Sequence, residues 1–422
     1  EALFCRYLSL LHPIKSEQMI VRLTLILGIF LLSSACGTSQ GPNPLVNYPF
    51  AYQKLSPTDK EKLMMEVKTK YETLLGKKGF SGQILVAKNG QVVFEDYQGY
   101  SNYSNKTLIQ PETPIHLASI SKTFTAMAAL KLWEQEKLDL KAPVTKYLNK
   151  FPYKEVTIEQ LLSHRSGLAD YTYFMESKKY ASVRVKNKRG KWIKRLKLIK
   201  NEAPFKTGLY NNQDVLDYMV ARKPLPQASP DRVFKYCNTN YVLLALVIEK
   251  ITGQSFPIYM KENIFKPLKM ENTYIFDASS IGKYTPSYNA KMVPYKIEKY
   301  DCIYGDKNIY STARDMFLWD KALTEGKYLQ QATMDMAYEP KSPTNKYFHN
   351  YGLGWRILTN PNEEKLIYHN GWWHGNNTVF TRLIRETATI IILGNRYNSS
   401  IYKGKQIASV FTGKEDTTSL EE

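Results

Sequence analysis

Apolar residues follow two patterns along this chain, one in its middle and one toward its ends. The middle carries runs without internal glycine in which apolar residues recur at helical spacing, and these predict helices. The predicted helices of the middle cover residues 119–133, 138–149, 158–163, 215–221, 241–251 and 318–324. Two further helices are predicted nearer the chain ends, at residues 59–75 and 401–411.

Toward the ends the apolar runs are shorter and predict strands, because they contain β-branched residues between Asn, Gly and Glu. The predicted strands cover residues 84–88, 91–95, 352–358, 365–369, 378–384 and 387–393. Asn89-Gly90 joins the first two as a hairpin. These elements predict an α+β fold over residues 56–422, with an antiparallel sheet from both chain ends, flanking helices, and a mostly helical subdomain inserted at about 120–340.

The first 55 residues have a different character. Residues 19–35 combine Arg22 with an apolar run that is too short for a finished membrane span, and they end before Cys36, in a pattern that resembles a bacterial lipoprotein signal. We therefore expect lipidation at Cys36, a tether over residues 36–55, and a protein anchored in the bacterial cell envelope, facing the periplasm or exterior. An ordinary signal peptide is the alternative. Residues 1–18 precede a credible start at Met19, and we interpret them as a non-native upstream segment.

The positive charge of the chain is concentrated in one segment. The formal net charge is +19, and residues 176–206 contain twelve Lys or Arg against two Glu. No nucleic-acid motif surrounds this basic insertion, so we expect a solvated surface excursion that contacts an anionic envelope polymer, and no nucleic-acid partner. A composition of 43% hydrophobic and 13% aromatic residues excludes a disordered chain.

The positions of the cysteines and histidines predict neither a metal site nor a definite disulfide. Cys237 and Cys302 remain after Cys5 and Cys36 are set aside, and a disulfide between them stays open as an alternative. No cluster has metal-ligand spacing, so we expect no metal and no cofactor. His116, His164, His349 and His374 are expected to be structural hydrogen-bonding residues.

The strongest candidate for chemistry is the start of the helix at residue 119. Ser119 and Lys122 are three residues apart, which places them on one helical face. A serine becomes a nucleophile when a neighbouring base takes its proton, and a buried lysine can be that base. The alternative is a capping serine beside a solvated lysine.

Three later stretches accompany Ser119 and Lys122. Tyr236-Cys-Asn238 precedes an apolar helix, residues 305–315 introduce another, and His369-Asn370-Gly371 lies at a strand end. With Ser119-Ile-Ser-Lys122 and residues 157–168, they resemble the serine β-lactamase and penicillin-binding-protein superfamily, in its class C-like branch. The resemblance covers about residues 80 to 395, with the motifs in the family's order.

The resemblance implies an acyl-enzyme mechanism. Ser119 is the nucleophile, Lys122 its proton acceptor and Tyr236 a member of the proton relay. Asn238 is expected to orient Lys122 and to hold a substrate amide, and His369, Asn370 and Gly371 to line the substrate site. The backbone N–H groups of Ser119 and Trp372 are expected to form the oxyanion hole. The separate structural alternatives are a core aromatic at Tyr236, a turn residue at Asn238 and a polar strand end at His369.

Departures from the family pattern leave the substrate open. His369 replaces the Lys that holds the substrate carboxylate in β-lactamases, and a neutral imidazole is a poorer anion anchor. We therefore expect an exported hydrolase that acts on an ester or amide in a small molecule or peptide, such as an esterase, a DD-peptidase or a D-aminopeptidase-like enzyme. The alternatives are a β-lactamase and a catalytically silent sensor that binds peptidoglycan or β-lactams.

Overall fold

The structure is a computed structural model that describes residues 51–76, 79–188, 190–342, 349–359 and 365–413. The predicted upstream segment, the signal peptide, Cys36 and most of the tether lie outside the described residues.

The described chain forms fourteen strands and ten α-helices. The strands are β1 (Gly82–Lys88), β2 (Gln91–Gln98), β3 (Tyr100–Asn102), β4 (Thr107–Leu108), β5 (Ile115–His116), β6 (Lys178–Lys186), β7 (Trp192–Asn201), β8 (Tyr274–Ile275), β9 (Ile309–Ser311), β10 (His349–Tyr351), β11 (Arg356–Thr359), β12 (Lys365–Trp373), β13 (Asn376–Leu383) and β14 (Ala388–Gly394). The helices are α1 (Pro57–Tyr71), α2 (Ser121–Glu134), α3 (Ile158–Leu162), α4 (Tyr171–Phe174), α5 (Asn212–Arg222), α6 (Thr239–Thr252), α7 (Phe256–Met260), α8 (Ala313–Thr324), α9 (Gln331–Ala337) and α10 (Ser409–Thr412).

A seven-stranded antiparallel sheet is built from both ends of the chain. Its order is β10-β11-β12-β13-β14-β1-β2, so the first strand pairs with the last, in a register that sets Leu85 opposite Ile391. The predicted α+β fold and the sheet from both chain ends are confirmed.

The two faces of the central strands bury different partners, because successive side chains of a strand point to opposite faces. Ile84 and Val86 pack with Val67 and Tyr71 of α1 in one apolar cluster. Leu85 belongs to a larger cluster that includes most of the helical region, with α2 and α6 at its centre. The helices nearest the two termini thus cover one face, and the helical region covers the other.

Helices α2 and α6 are buried along most of their length, which explains why their sequences are apolar on every side. Within the described residues no single helix has the length and apolar character needed to cross a membrane. The bent pair Thr239–Thr252 and Phe256–Phe265 meets that requirement only when the two are taken together.

Three local predictions were wrong. Residues 138–149 form turns with one 3-10 turn at Val144–Lys146, because Pro143 lacks an N–H and pairs across to Thr157. The strand predicted at 352–358 is interrupted, and β10 ends before it while β11 begins at Arg356. The closing helix is mostly 3-10 (Ser399–Ala408), followed by the single α-turn α10.

The basic insertion is more ordered than its charge suggested. It contains a two-stranded antiparallel hairpin of β6 and β7, in a sheet of its own. The disulfide that the sequence left open does not form, since Cys237 and Cys302 are each buried as free thiols.

Candidate active site

The turn that carries Ser119 is held in a strained conformation by buried hydrogen bonds. Ala118 has a φ of 49°, which a residue with a Cβ seldom adopts. Its N–H donates to His116 Nδ1 (3.0 Å), and the N–H of Leu117 donates to the Ile309 carbonyl (2.8 Å). Ser119 follows in the 3-10 turn Ala118–Ile120, which leads directly into α2.

His116 therefore has a definite tautomer. Because Nδ1 accepts a hydrogen bond, the proton lies on Nε2, which donates to Asn308 Oδ1 at 3.0 Å. Burial lowers the pKa of His116 to about 4, so the ring is neutral near pH 7. The sequence interpretation gave His116 only a general structural role, and it contained no sign that Asn308 is its partner.

Ser119 and Lys122 lie in direct contact. Lys122 Nζ is 2.9 Å from Ser119 Oγ and donates a second hydrogen bond to the Asp306 carbonyl oxygen at 2.7 Å. The Lys122 side chain is fully buried, and no carboxylate of the described residues lies within ion-pair distance of it. An amine withdrawn from water in this way is placed to exchange a proton with the neighbouring hydroxyl.

Tyr236 lies beside this pair and presents its ring to the lysine. The centroid of the ring is 5.0 Å from Lys122 Nζ and 4.2 Å from the His164 ring. The Arg356 guanidinium is 5.3 Å from the same centroid. In the described part of the chain, no hydrogen bond joins the Tyr236 hydroxyl to Ser119 or Lys122, so its place in a proton relay stays a prediction.

His164 supports the segment that carries Tyr236. Its Nδ1 accepts from the Cys237 N–H at 3.1 Å, and burial, with smaller effects of Lys122 and His369, lowers the pKa of His164 far below its usual value. This is the hydrogen-bonding role that the sequence suggested, although the ring also packs against Tyr236.

Asn238 does not orient Lys122 as expected. The second partner of Lys122 is the backbone carbonyl of Asp306, and the Asn238 side chain makes no hydrogen bond to Lys122 among the described residues. The Asn238 N–H donates to Asp170 Oδ2 at 2.6 Å, which fixes the start of α6. Asn238 is partly exposed, and its side chain remains a candidate for binding a substrate amide.

Strand β12 packs against the Ser119 turn at Gly371. A Cβ at this position would lie 2.4 Å from the Leu117 carbonyl oxygen and 2.3 Å from Thr378 Oγ1. Thr378 Oγ1 itself donates to the Leu117 carbonyl at 2.8 Å. The absence of a side chain at residue 371 therefore allows the strand and the turn to approach each other closely.

The other residues of this motif occupy different environments. His369 is fully buried, and Asn370 nearly so, whereas Trp372 is 64% exposed. Because side chains alternate along a strand, Asn370 and Trp372 point to the face of β12 opposite Gly371, so the expectation that their side chains line the site is wrong. His369 Nδ1 contacts the Asn370 carbonyl (2.7 Å), which can only accept, so Nε2 accepts from the Tyr351 hydroxyl at 3.2 Å. Burial, reinforced by Arg356 and Lys122, keeps the pKa of His369 far below its usual value. His369 is thus a neutral ring and cannot act as a cationic carboxylate anchor.

A second buried lysine, which the sequence interpretation missed, lies next to the site. Lys307 Nζ is 3.6 Å from Asp306 Oδ2, contacts the Tyr171 hydroxyl, and lies 4.7 Å from the centroid of Trp373. Burial lowers the pKa of Lys307 from its ordinary value. The available signal was the adjacent Asp306-Lys307 pair near the start of the motif at residues 305–315. The described residues contain no group of three or more His, Cys, Asp or Glu that could hold a metal ion.

Known proteins are similar to this chain in sequence and in fold. A family profile described as Beta-lactamase matches residues 68–408. A penicillin-binding protein of Bacillus subtilis (strain 168) is 28% identical over 361 residues, which cover 82% of this chain and 74% of that protein. The teichoic acid D-alanine hydrolase of Staphylococcus aureus (strain MRSA252) is 28% identical over 282 residues, covering 65% of this chain and 59% of that one.

Solved structures agree with this relationship. The octameric penicillin-binding protein homologue from Pyrococcus abyssi superposes with a TM-score of 0.67 at 24% identity, covering 84% of this chain and 77% of that one. A D-stereospecific amidohydrolase from Streptomyces sp. superposes with a TM-score of 0.62 at 20% identity, covering 83% and 99%. At these identities the structures show the common fold. The profile match over most of the chain shows that this protein belongs to the beta-lactamase family, within the serine β-lactamase and penicillin-binding-protein superfamily, and is a serine hydrolase.

Proposed function

We propose that this hydrolase forms an acyl-enzyme at Ser119 with a D-amino-acyl ester or amide. The observation that carries the proposal is the 2.9 Å contact between Ser119 Oγ and the fully buried Lys122 Nζ. The choice of acyl group is supported by relatives named as a teichoic acid D-alanine hydrolase and as a D-stereospecific amidohydrolase.

The proposed reaction has two steps. Ser119 Oγ attacks the substrate carbonyl carbon as its proton passes to Lys122 Nζ, and the oxyanion is held by the N–H groups of Ser119 and Trp372. The leaving alcohol or amine receives a proton through Lys122 and Tyr236 as its bond to the carbonyl breaks. Water then attacks the acyl-enzyme, gives a proton back through the same groups, and releases the acid with a free Ser119 hydroxyl.

The neutral His369 favours an ester or amide substrate over a β-lactam. A β-lactam carries a carboxylate that needs a positive partner, and a ring whose pKa lies far below its usual value supplies no charge. Asn238 is proposed to contact the substrate beside the acyl carbonyl, and Trp372 to contribute only its backbone N–H, because the Asn370 and Trp372 side chains point to the face of β12 opposite Gly371.

Mass spectrometry of the intact protein tests the proposal. The protein is exposed separately to a D-alanyl ester, a D-Ala-D-Ala peptide, a penicillin and a fluorophosphonate. We expect a covalent adduct with the fluorophosphonate and at least one D-alanyl substrate, lost in Ser119→Ala and retained in Ser104→Ala, which alters an exposed loop serine. Rapid turnover of the β-lactam alone would identify a β-lactamase, and tight binding without any adduct would identify a silent sensor.

We also propose that the chain is exported and lipid-anchored at Cys36 in a bacterial envelope. The support is the basic start and apolar run of residues 19–35 directly before that cysteine. Growth of expressing bacteria with a radiolabelled fatty acid is expected to label the wild-type protein and leave Cys36→Ser unlabelled. Equal labelling of the two would contradict the proposal. Assignment to the class C-like branch remains a prediction from motif order.

A further inference from the structure

The hairpin of β6 and β7 projects from the body with neither face covered by another sheet. Its strands pair from Lys178 with Asn201 to Lys186 with Trp192, in a sheet that contains no other strand. The pairing continues one step beyond the strands, where the Glu202 N–H donates to the Ser177 carbonyl. Two-stranded hairpins are only marginally stable in water, so this one is suited to packing on an additional surface.

One face of the hairpin combines exposed apolar side chains with cations. Directly opposed residues of an antiparallel pair point to the same face. Opposed pairs therefore place Trp192, Leu196 and Leu198 on one face with Lys186, Arg184 and Lys194. We call this set the Trp192 face. Trp192 is 60% exposed, Leu196 71% and Leu198 43%.

This composition distinguishes between two kinds of anionic partner. A soluble polyanion requires only positive charge, and exposed Trp and Leu side chains would add nothing to its binding. The interface of a bilayer accepts both groups, because indole and leucine enter the headgroup region while Lys and Arg contact lipid phosphates. Each cation close to an anionic membrane strengthens binding by about fivefold.

We propose that the Trp192 face docks on a bilayer that contains anionic phospholipid. This goes beyond the Ser119 chemistry and does not depend on it. The hairpin begins shortly after α4, whose Tyr171 hydroxyl bonds Asp306 at 3.0 Å, and the Asp306 carbonyl holds Lys122. Docking of the hairpin therefore sets the orientation of the active site relative to the membrane.

Vesicle binding by the full chain tests the apolar part of the proposal. The triple variant Trp192→Ser, Leu196→Ser, Leu198→Ser keeps every charge, and it is compared with wild type on vesicles of phosphatidylglycerol and phosphatidylcholine. We expect it to bind on the order of 100-fold more weakly. The matched control Leu225→Ser removes another leucine that is 86% exposed outside the hairpin, and it should bind as wild type does.

Two double variants test the contribution of positive charge to vesicle binding. Arg184→Gln with Lys194→Gln removes two cations from the Trp192 face, and Arg195→Gln with Lys197→Gln removes two from the opposite face. We expect a loss of about 25-fold for the first pair and a clearly smaller one for the second. Equal losses would overturn the proposed orientation.

Insertion is measured by quenching of tryptophan emission with brominated phospholipid in wild type and in Trp192→Phe. Because Trp372 is also exposed, only the difference between the two proteins reports on Trp192. We expect stronger quenching in wild type, and equal quenching, together with unchanged vesicle binding by the triple variant, overturns the proposal. Binding of both proteins to soluble polyphosphate would then assign the hairpin to a polymer, and loss of self-association in the triple variant would assign it to a second copy of this chain.

Discussion

Gly371→Ala should separate strand β12 from the Ser119 turn. The new Cβ would lie 2.4 Å from the Leu117 carbonyl oxygen and 3.0 Å from Ala118 Cβ, whereas ordinary contacts begin near 3.4 Å. The strand or the turn must therefore move by roughly 1 Å. Because Leu117 O is a backbone atom, no rotation of a side chain relieves this contact.

Two measurable effects follow from that movement. Displacing catalytic groups by about 1 Å lowers the reaction rate by on the order of 100-fold, since the proposed oxyanion donors no longer converge. Overpacking of a buried site also lowers the free energy of unfolding by about 1–3 kcal/mol. For a chain of 422 residues, each kcal/mol corresponds to a fall in Tm of roughly 1 °C, because the unfolding entropy grows with chain length.

The assay combines the rate of fluorophosphonate acylation with thermal unfolding of the same samples. Gly76→Ala is the matched control, because its Cβ would meet only Glu72 at ordinary contact distances of 3.6 and 3.7 Å. Adding Thr378→Ala to Gly371→Ala removes the contact with Oγ1 but leaves the one with the carbonyl, so acylation stays slow. A Gly371→Ala protein that is acylated within twofold of the wild-type rate, with an unchanged Tm, would refute the reasoning.

Three further predictions concern buried groups. The pKa of His116 falls from 6.5 to about 4 on folding, so the unfolded state binds more protons between these two pH values. The free energy of unfolding should therefore decrease as the pH falls from about 6.5 to about 4, by up to about 3 kcal/mol. Urea unfolding at pH 7 and pH 4.5 measures this loss. Burial raises the pKa of Cys237 to about 12, so iodoacetamide should leave it unmodified at pH 8 in the native protein, as peptide mass mapping would detect. Asp320→Ala leaves the buried Arg382 guanidinium without its carboxylate at 2.6 Å and should lower the free energy of unfolding by about 3–5 kcal/mol.

Each of these three predictions has its own control experiment. His116→Gln should reduce the acid-dependent loss of stability, and an unchanged pH slope in that variant would contradict the assignment. Cys237 should react once urea unfolds the chain. Glu95→Ala breaks the more exposed ion pair with Arg314 and should cost less than about 1 kcal/mol, in contrast with Asp320→Ala.

The sequence predicted those features that depend on local spacing. Helical geometry alone places Ser119 near Lys122, because residues three apart share a face. The strands at both ends were visible because a sheet that is buried on both faces needs continuous apolar runs, as β14 shows.

Features that depend on distant partners could not be predicted from spacing. His116 and Asn308 are far apart in the sequence, and their hydrogen bond exists only because β5 pairs with β9. The role expected of Asn238 was taken by the backbone carbonyl of Asp306, and a carbonyl has no residue signature. The hairpin was missed because lysines and arginines obscured the alternation of Val183 and Val185 with polar neighbours.

The pairing of β1 with β14 determines when this enzyme becomes active. Residue 82 pairs with residue 394, so almost the whole chain must be present before the central sheet can close. Contacts of such high sequence separation form slowly, because the entropy of loop closure is lost before the pairing is gained. Gly371 reaches the Ser119 turn only as part of that late sheet, so a chain interrupted during synthesis carries the proposed nucleophile and base without the strand that packs against them.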